Sequence, residues 1–415
     1  MKRLTLLRLS VPAVAVLLAP ALAAAPACAA ALEAPAVLAA PAAPIVTEVG
    51  ASAVVGQTVR FRLTDPGGSE PARYNWMING GELTGTVAAR GGKATVKILA
   101  TRAANQLAVY AVDAQGGIGD STTMVFTATD PSPYADQDLD GDGRPDLAVV
   151  VGDTLLEADG EGTGGRVRVP AVDLGPLGNG VGGTFAGAQI ITGKFSGSPF
   201  EDYLAYYPSS GLALAYRGHG AADRTYPRLV ALNEVSLGGF FSDENGDNPI
   251  QLATAYDGSG LGHTMPDLLG VVGNAAGGFH LDYYVSTDFV TGFYQLPVDT
   301  GRSTPAGGSD WENWRLSSKL LPGGTAVSLW NPSTGALYLW TGVTFDAGSG
   351  QLSYTQYRLS AHFRTGDTDT TLRLTDFDGD GVPDIWGVSA AGVVTAYRVS
   401  GLPGTIKATA PQPLT

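Results

Sequence analysis

The chain is predicted to be all-β, a β-sandwich followed by a β-propeller, on three observations. Its 415 residues include 57 glycines and 26 prolines, which punctuate it too often for long helices. Residues 45–130 are built of short runs with alternating apolar positions. Beyond residue 133 a single hairpin pattern returns about every 60 residues.

Taken in order, residues 1–29 read as an export signal. "MKRLTLLR" carries positive charge, "LSVPAVAVLLAPALAAA" is an apolar core, and Ala27-Cys28-Ala29 is a small-residue cleavage sequence. The apolar core is short and contains prolines, so a spanning helix fits poorly and no transmembrane segment is expected after cleavage. Cys28 is the chain's one cysteine. Cleavage after Ala29 removes it, and a lipid anchor on it is the alternative. A mature chain without disulfides must take its stability from core packing and bound ions. Residues 30–44, "AALEAPAVLAAPAAP", read as an extended Ala/Pro tether.

Residues 45–130 hold "QTVRFRLTD", "ARYNWMING", "ATVKILAT", "QLAVYAVDA" and "STTMVFTAT", separated by Gly, Asn, Pro and Asp. Strands at this spacing predict a β-sandwich, with Trp76 and Tyr110 as core aromatics. The position of Trp76 and the segment "AVYAVDAQGGIGDS" resemble cysteine-free bacterial immunoglobulin-like modules.

Residues 133–405 carry the repeat. Hairpins begin at Leu147, Leu204, Leu268, Val327 and Ile385, each an apolar strand, a small-residue turn with Gly, and a second apolar or aromatic strand. Several strands per repeat of this length predict propeller blades. Five are counted; six or seven would follow if connections such as "LVALNEVSLGGFFSDENGD" hide degenerate units.

The first and last repeats open on acidic loops, "DLDGDGRPDLAV" from Asp138 and "DFDGDGVPDIWG" from Asp376. Four aspartates stand at loop positions 1, 3, 5 and 9, with glycines at 4 and 6. Carboxylates this close repel one another unless a hard cation sits between them, and Ca²⁺ accepts six to eight oxygens from a flexible loop. Asp138, Asp140, Asp142 and Asp146, with the carbonyl of Arg144, form one candidate site. Asp376, Asp378, Asp380 and Asp384, with the carbonyl of Val382, form the other. Solvated acidic turns without metal are the competing reading. An EF-hand is excluded, because position 12 is Val149 or Gly387 rather than Glu and a strand follows each loop.

Loop and strand pair together, "DFDGDGVPDIWGVSAAGVVTAYRV", resemble the FG-GAP (VCBS) repeat of integrin α-type propellers, in which a calcium loop joins two strands of a blade. The resemblance implies about two bound Ca²⁺ and an extracellular or cell-surface setting. The middle repeats depart from it. Lys194, Ser196 and Ser198 replace the first three aspartates of the second loop and leave Asp202, with the ammonium expected to stand in for the ion. The third loop keeps Asp257, Ser259 and Asp267 with extra residues before Pro266, and the fourth has no acidic residue.

Other chemistry is thinly represented. GxSxG and HExxH are missing, and His219, His263, His280 and His362 lie in separate segments without ligand spacing. The pairs Glu201 with Asp202 and Asp310 with Glu312 could serve a glycosidase. Trp311 and Trp314, in the polar "SDWENWR", are expected at the surface and able to stack on a sugar. A net charge of −14 with no basic stripe argues against nucleic acid. The expectation is a secreted, calcium-binding, non-catalytic protein for adhesion or binding of an extracellular protein or glycan. A polysaccharide-active enzyme or lectin on the same scaffold is the alternative.

Overall fold

Residues Thr58–Thr64 bury Val59, Phe61 and Leu63 and expose Thr58, Arg60 and Arg62, the period-two pattern of a strand with one face in a core. The same alternation recurs through the N-terminal part of the computed structural model. The structure describes residues 40–50, 53–81, 83–174, 184–196, 199–216, 218, 235–236, 241–287 and 294–415. Residues 1–29, read above as an export signal and containing Cys28, residues 30–39, Ser198 and His219 lie outside them. So do residues 229–234 and 237–240 of the long connection. The chain is all-β, and among the described residues no helix is long and apolar enough to cross a membrane.

Two sheets form the N-terminal layer pair. One joins Ile45–Val49, Thr58–Thr64 and Lys93–Leu99. The other runs Ala53–Val54, Ile118–Thr129, Ala104–Val112, Arg73–Ile78, Leu83–Ala88. Phe61, Leu63, Tyr74, Trp76, Ile78, Ile98 and Val109 share one core. Trp76 lies over Gly85, where a Cβ would collide with the indole. Tyr110 departs from the core expected of it: Val109 and Ala111 face inward, so the residue between them faces out, where it accepts a hydrogen bond from Asn75 at 3.3 Å.

The five anticipated hairpins all form, each within a larger antiparallel sheet. In the second to fifth sheets an additional strand precedes the hairpin: Gln189–Gly193, Gln251–Tyr256, Arg315–Leu321 and Thr371–Thr375. These preceding strands stand side by side around an axis, bridged by side chains. Gln189 pairs with both backbone groups of Leu252, Gln251 with Leu316 N–H and Trp314 C=O, and Ser317 Oγ with Leu374 N–H. Arg373 Nε donates to Ala148 C=O at 3.2 Å and brings the fifth sheet to the first. Trp386, Phe377, Leu147 and Val149 pack in that seam.

The first sheet has no preceding strand, so Leu147–Val151 faces the axis and residues 135–137 cross it instead. Gln137 Nε2 donates to Leu374 C=O at 2.8 Å, while Asp136 pairs with Lys319 at 3.1 Å. These contacts stop one end of the axis, above a cavity of about 40 Å³ lined by Thr192, Thr254, Ser317 and Ser318. The result is a propeller-like closed arrangement of five sheets among the described residues.

Candidate functional site

Both acidic loops join a position near the axis to the first strand of a hairpin. Left-handed glycines at Gly141 and Gly143 (φ 86° and 85°) turn the chain so that alternate aspartates face one centre. Carboxylate oxygens of Asp138, Asp140 and Asp146 come within 4.8 Å of one another, as do those of Asp376, Asp378 and Asp384. Asp142 stands apart and exposed, with Arg144 Nη1 at 3.7 Å. Asp380 is likewise peripheral, and its Oδ1 accepts from Val382 N–H at 2.8 Å.

Electrostatics distinguish the convergent carboxylates. Burial raises Asp146 to about 8 and Asp384 to about 7, with neighbouring aspartates adding to the shift against backbone hydrogen bonds that oppose it. Asp138 and Asp376 are raised for the same reason. In the loop of the last repeat Asp376 Oδ1 and Asp384 Oδ2 are buried with no hydrogen-bond partner. Orphaned carboxylate oxygens facing two further carboxylates form a hard, anionic donor set, which fits an oxygen-seeking cation such as Ca²⁺. Arg398, a residue without any signal in the loop sequence, reaches the same centre with Nε 2.7 Å from Asp378 Oδ2.

The last aspartate of each loop has a second task. Asp146, Asp202, Asp267 and Asp384 are all buried, none more than 4 % exposed. One oxygen of each accepts from a backbone N–H at the far end of the hairpin: Gly160, Gly218, Ser286 or Val399. In the first three repeats the other oxygen accepts from the loop itself, at Leu139, Ser196 or Ser259. A Cβ at Gly160 or Gly218 would fall onto the carbonyl of Pro145 or Glu201, so glycine permits this approach. Asp202 and Asp267 therefore persist as pins in loops that have lost the rest of the motif.

Lys194 does not pair with Asp202, as its position in the loop implied. Its ammonium lies 3.3 Å from Glu201 and donates to Tyr134 C=O at 2.8 Å, which ties the second loop to the segment crossing the axis. Glu201 is buried and raised to about 8 by desolvation and by Asp136. Asp310 accepts from Thr304, Trp314 and Asn331.

Trp311 and Trp314 are not at the surface; both are 1 % exposed. The 3₁₀ turn Trp311–Asn313 puts residues three apart on one side, and that side packs inward on Trp340 and Tyr338. Glu312 and Asn313, the polar residues between them, face out.

Opposite the stopped end, the axis opens into a depression of about 390 Å³ lined by Gln189, Gln251, Arg315, Thr368, Asp369, Thr371 and Arg373 among others. Arg315 donates to the carbonyls of Glu312 and Trp314, and Arg373 to that of Ala148. Among the described residues neither guanidinium has a carboxylate within ion-pair distance, although Asp369 shares the rim. Desolvation lowers both, Arg373 to about 10.

No known protein family matches the chain, and no curated protein matches it. Among solved structures it is similar to an auxiliary nutrient binding protein from Bacteroides ovatus, at 11% identity over 88% of this chain and 85% of that one, with a TM-score of 0.32. A periplasmic gluconolactonase from Pseudomonas aeruginosa is similar at 12% identity over 88% and 96%, with a TM-score of 0.29.

Proposed function

We propose that the chain is a secreted, calcium-stabilised binding protein, in which an immunoglobulin-like sandwich precedes a five-bladed propeller of the FG-GAP type. Its ligand is an acidic extracellular glycan or protein segment held at the open mouth of the propeller axis. One observation carries this reading: Arg315 and Arg373 face a depression of about 390 Å³ with hydrogen bonds only to backbone carbonyls. Arg315 is exposed and Arg373 half-buried at the mouth, and a guanidinium there without a carboxylate partner favours an anion that supplies one, its planar fork matching carboxylate or sulfate oxygens. Asp369 on the rim would reject a second anionic group and so orient the ligand.

Calcium is structural in this scheme. Asp138, Asp140 and Asp146 would hold one ion and Asp376, Asp378 and Asp384 another. Asp142 and Asp380 and the carbonyls of Arg144 and Val382 would be available to complete the oxygen shells. The ion's contribution is to neutralise buried charge.

A glycan array probed in calcium with the full chain and with the double variant Arg315→Gln, Arg373→Gln tests the reading. Retention of uronate or sulfated glycans by the wild type and its loss in the variant is the expected result. Equal retention by both, or binding confined to neutral sugars, would refute an anionic ligand at the mouth.

A further inference from the structure

We propose that His280, Asp282 and Asp299 bind a divalent transition ion of the zinc class, at a site separate from the two aspartate loops. The third repeat sheet sets the residues out. His280 and Asp282 are two apart in the strand Gly278–Tyr284 and so project from the same face. Asp299, in the strand Val298–Gly301, is the direct cross-strand partner of Asp282. Like charges opposite one another on a sheet repel, and the group beside them able to offset that repulsion is the imidazole of His280. Asp243 and Glu244 add further negative potential at Asp282.

Two features point to a ligand between these groups. Asp282 is 2 % exposed, yet its Oδ1 has no hydrogen-bond partner. His280 Nε2 lies 3.2 Å from that oxygen, close enough for a hydrogen bond but not aligned for one. Nitrogen and oxygen are thus side by side rather than donor to acceptor. Two ligands bound at roughly 2.0–2.2 Å to one tetrahedral ion stand about 3.3 Å apart, which is the spacing found. Ligand atoms of all three residues lie within 4.8 Å of one another. One imidazole with two carboxylates suits Zn²⁺ better than Ca²⁺, whose ligands are all oxygen.

Access is from the surface. Asp299 is exposed, and His280 borders a depression of about 400 Å³ shared with Asp243, Asn245, Asp247 and Arg302. Arg302 donates to Gly277 C=O at 2.8 Å. Three protein ligands leave a fourth position toward that depression, as in zinc sites that bind an exogenous group.

Zinc calorimetry on the full chain in saturating Ca²⁺ tests the proposal, because calcium occupies the aspartate loops first. One zinc per chain is expected, weakened at least tenfold in His280→Gln and in Asp282→Asn. Asp299→Asn, at an exposed position, provides a variant whose folding is not in question, and it too should lose affinity. Cobalt substitution should give a visible band in the wild type that His280→Gln shifts or abolishes. No zinc uptake in calcium, or uptake unchanged in Asp299→Asn and His280→Gln, would overturn it and leave His280 and Asp282 as a side-chain pair without metal.

Discussion

Asp146 and Asp384 show at the scale of one residue how burial and a cation oppose each other. Their folded values, about 8 and about 7, lie above the ordinary aspartate value near ~4. Without a cation the native chain therefore holds more protons than the unfolded chain between about pH 4 and pH 8. The stabilisation this confers is complete below about pH 4 and is lost as pH rises through 7 to 8. A calcium ion bound there would take the place of the protons, so it should flatten that dependence. Melting in chelator is expected to fall between pH 5 and pH 8 by more than melting in calcium, and parallel slopes in the two would show that no ion occupies the loops. Arg398 allows a finer test. Its guanidinium is half exposed and pairs with Asp378, a contact of up to ~1 kcal/mol that an entering ion must displace or share. Arg398→Gln should tighten calcium at the Asp376–Asp384 loop by about three- to fivefold in calorimetry, consistent with that energy, whereas weaker binding would make Arg398 a supporting group. The aspartates were legible because their spacing lies within one loop. Arg398 was not, since its approach depends on the hairpin bringing residue 398 back beside residue 378.

At the scale of the element, the retained aspartates explain why a loop can lose its motif without losing its hairpin. Asp202 accepts from Ser196 N–H at 2.6 Å and Gly218 N–H at 2.9 Å, both ends of one repeat unit. Asp202→Ala would orphan both donors, at about 1–3 kcal/mol each, and the loss should be the same in calcium and in chelator. In chelator Asp378→Ala removes the partly exposed contact with Arg398 and a long hydrogen bond from Asp380 N–H at 3.3 Å, so its cost should appear mainly when calcium is present. In chelator the buried pin at Asp202 therefore makes its loss the costlier of the two. Chemical denaturation of the two variants with and without calcium decides it, and a calcium-dependent effect at Asp202 would return the ion to the second loop. The hairpins could be read from the sequence because two apolar strands flank a glycine turn in each. Strands next to the axis could not, because Thr192, Thr254, Ser317 and Ser318 give them polar faces that look like connection. Trp311 and Trp314 misled for the converse reason: their charged neighbours implied a surface, while a three-residue turn aims both rings inward. His280, Asp282 and Asp299 show no local spacing because the third residue arrives from the adjacent strand.

At the scale of the whole molecule, the two aspartate loops flank the place where the ring of sheets closes. The first loop leads into the sheet that begins at Leu147 and the second into the strand Asp384–Val388, and these sheets meet through Trp386, Phe377, Leu147 and Val149. Trp386 Nε1 donates across the seam to Gly165 C=O at 2.8 Å, and residues of both loops border one surface cleft with Lys319. The seams between the second, third and fourth sheets contain large aromatic cores and, among the described residues, no aspartate triad. The N-terminal layers rest on the second repeat through Phe200, which joins their core, and Tyr134, whose ring meets Phe200 edge-on at 5.0 Å. Removing calcium should therefore act locally before it acts globally, because local opening free energies differ across a structure and a ligand stabilises the regions that hold it. In hydrogen exchange with chelator, amides of Leu147–Val151 and Asp384–Val388 are expected to lose protection first. Those of Asp267–Asn274 and Gly324–Asn331 should keep theirs, and the sandwich strands should follow only when the second repeat opens. Exchange that rises first in the third and fourth sheets, or evenly over the chain, would separate calcium from ring closure and place the ions elsewhere.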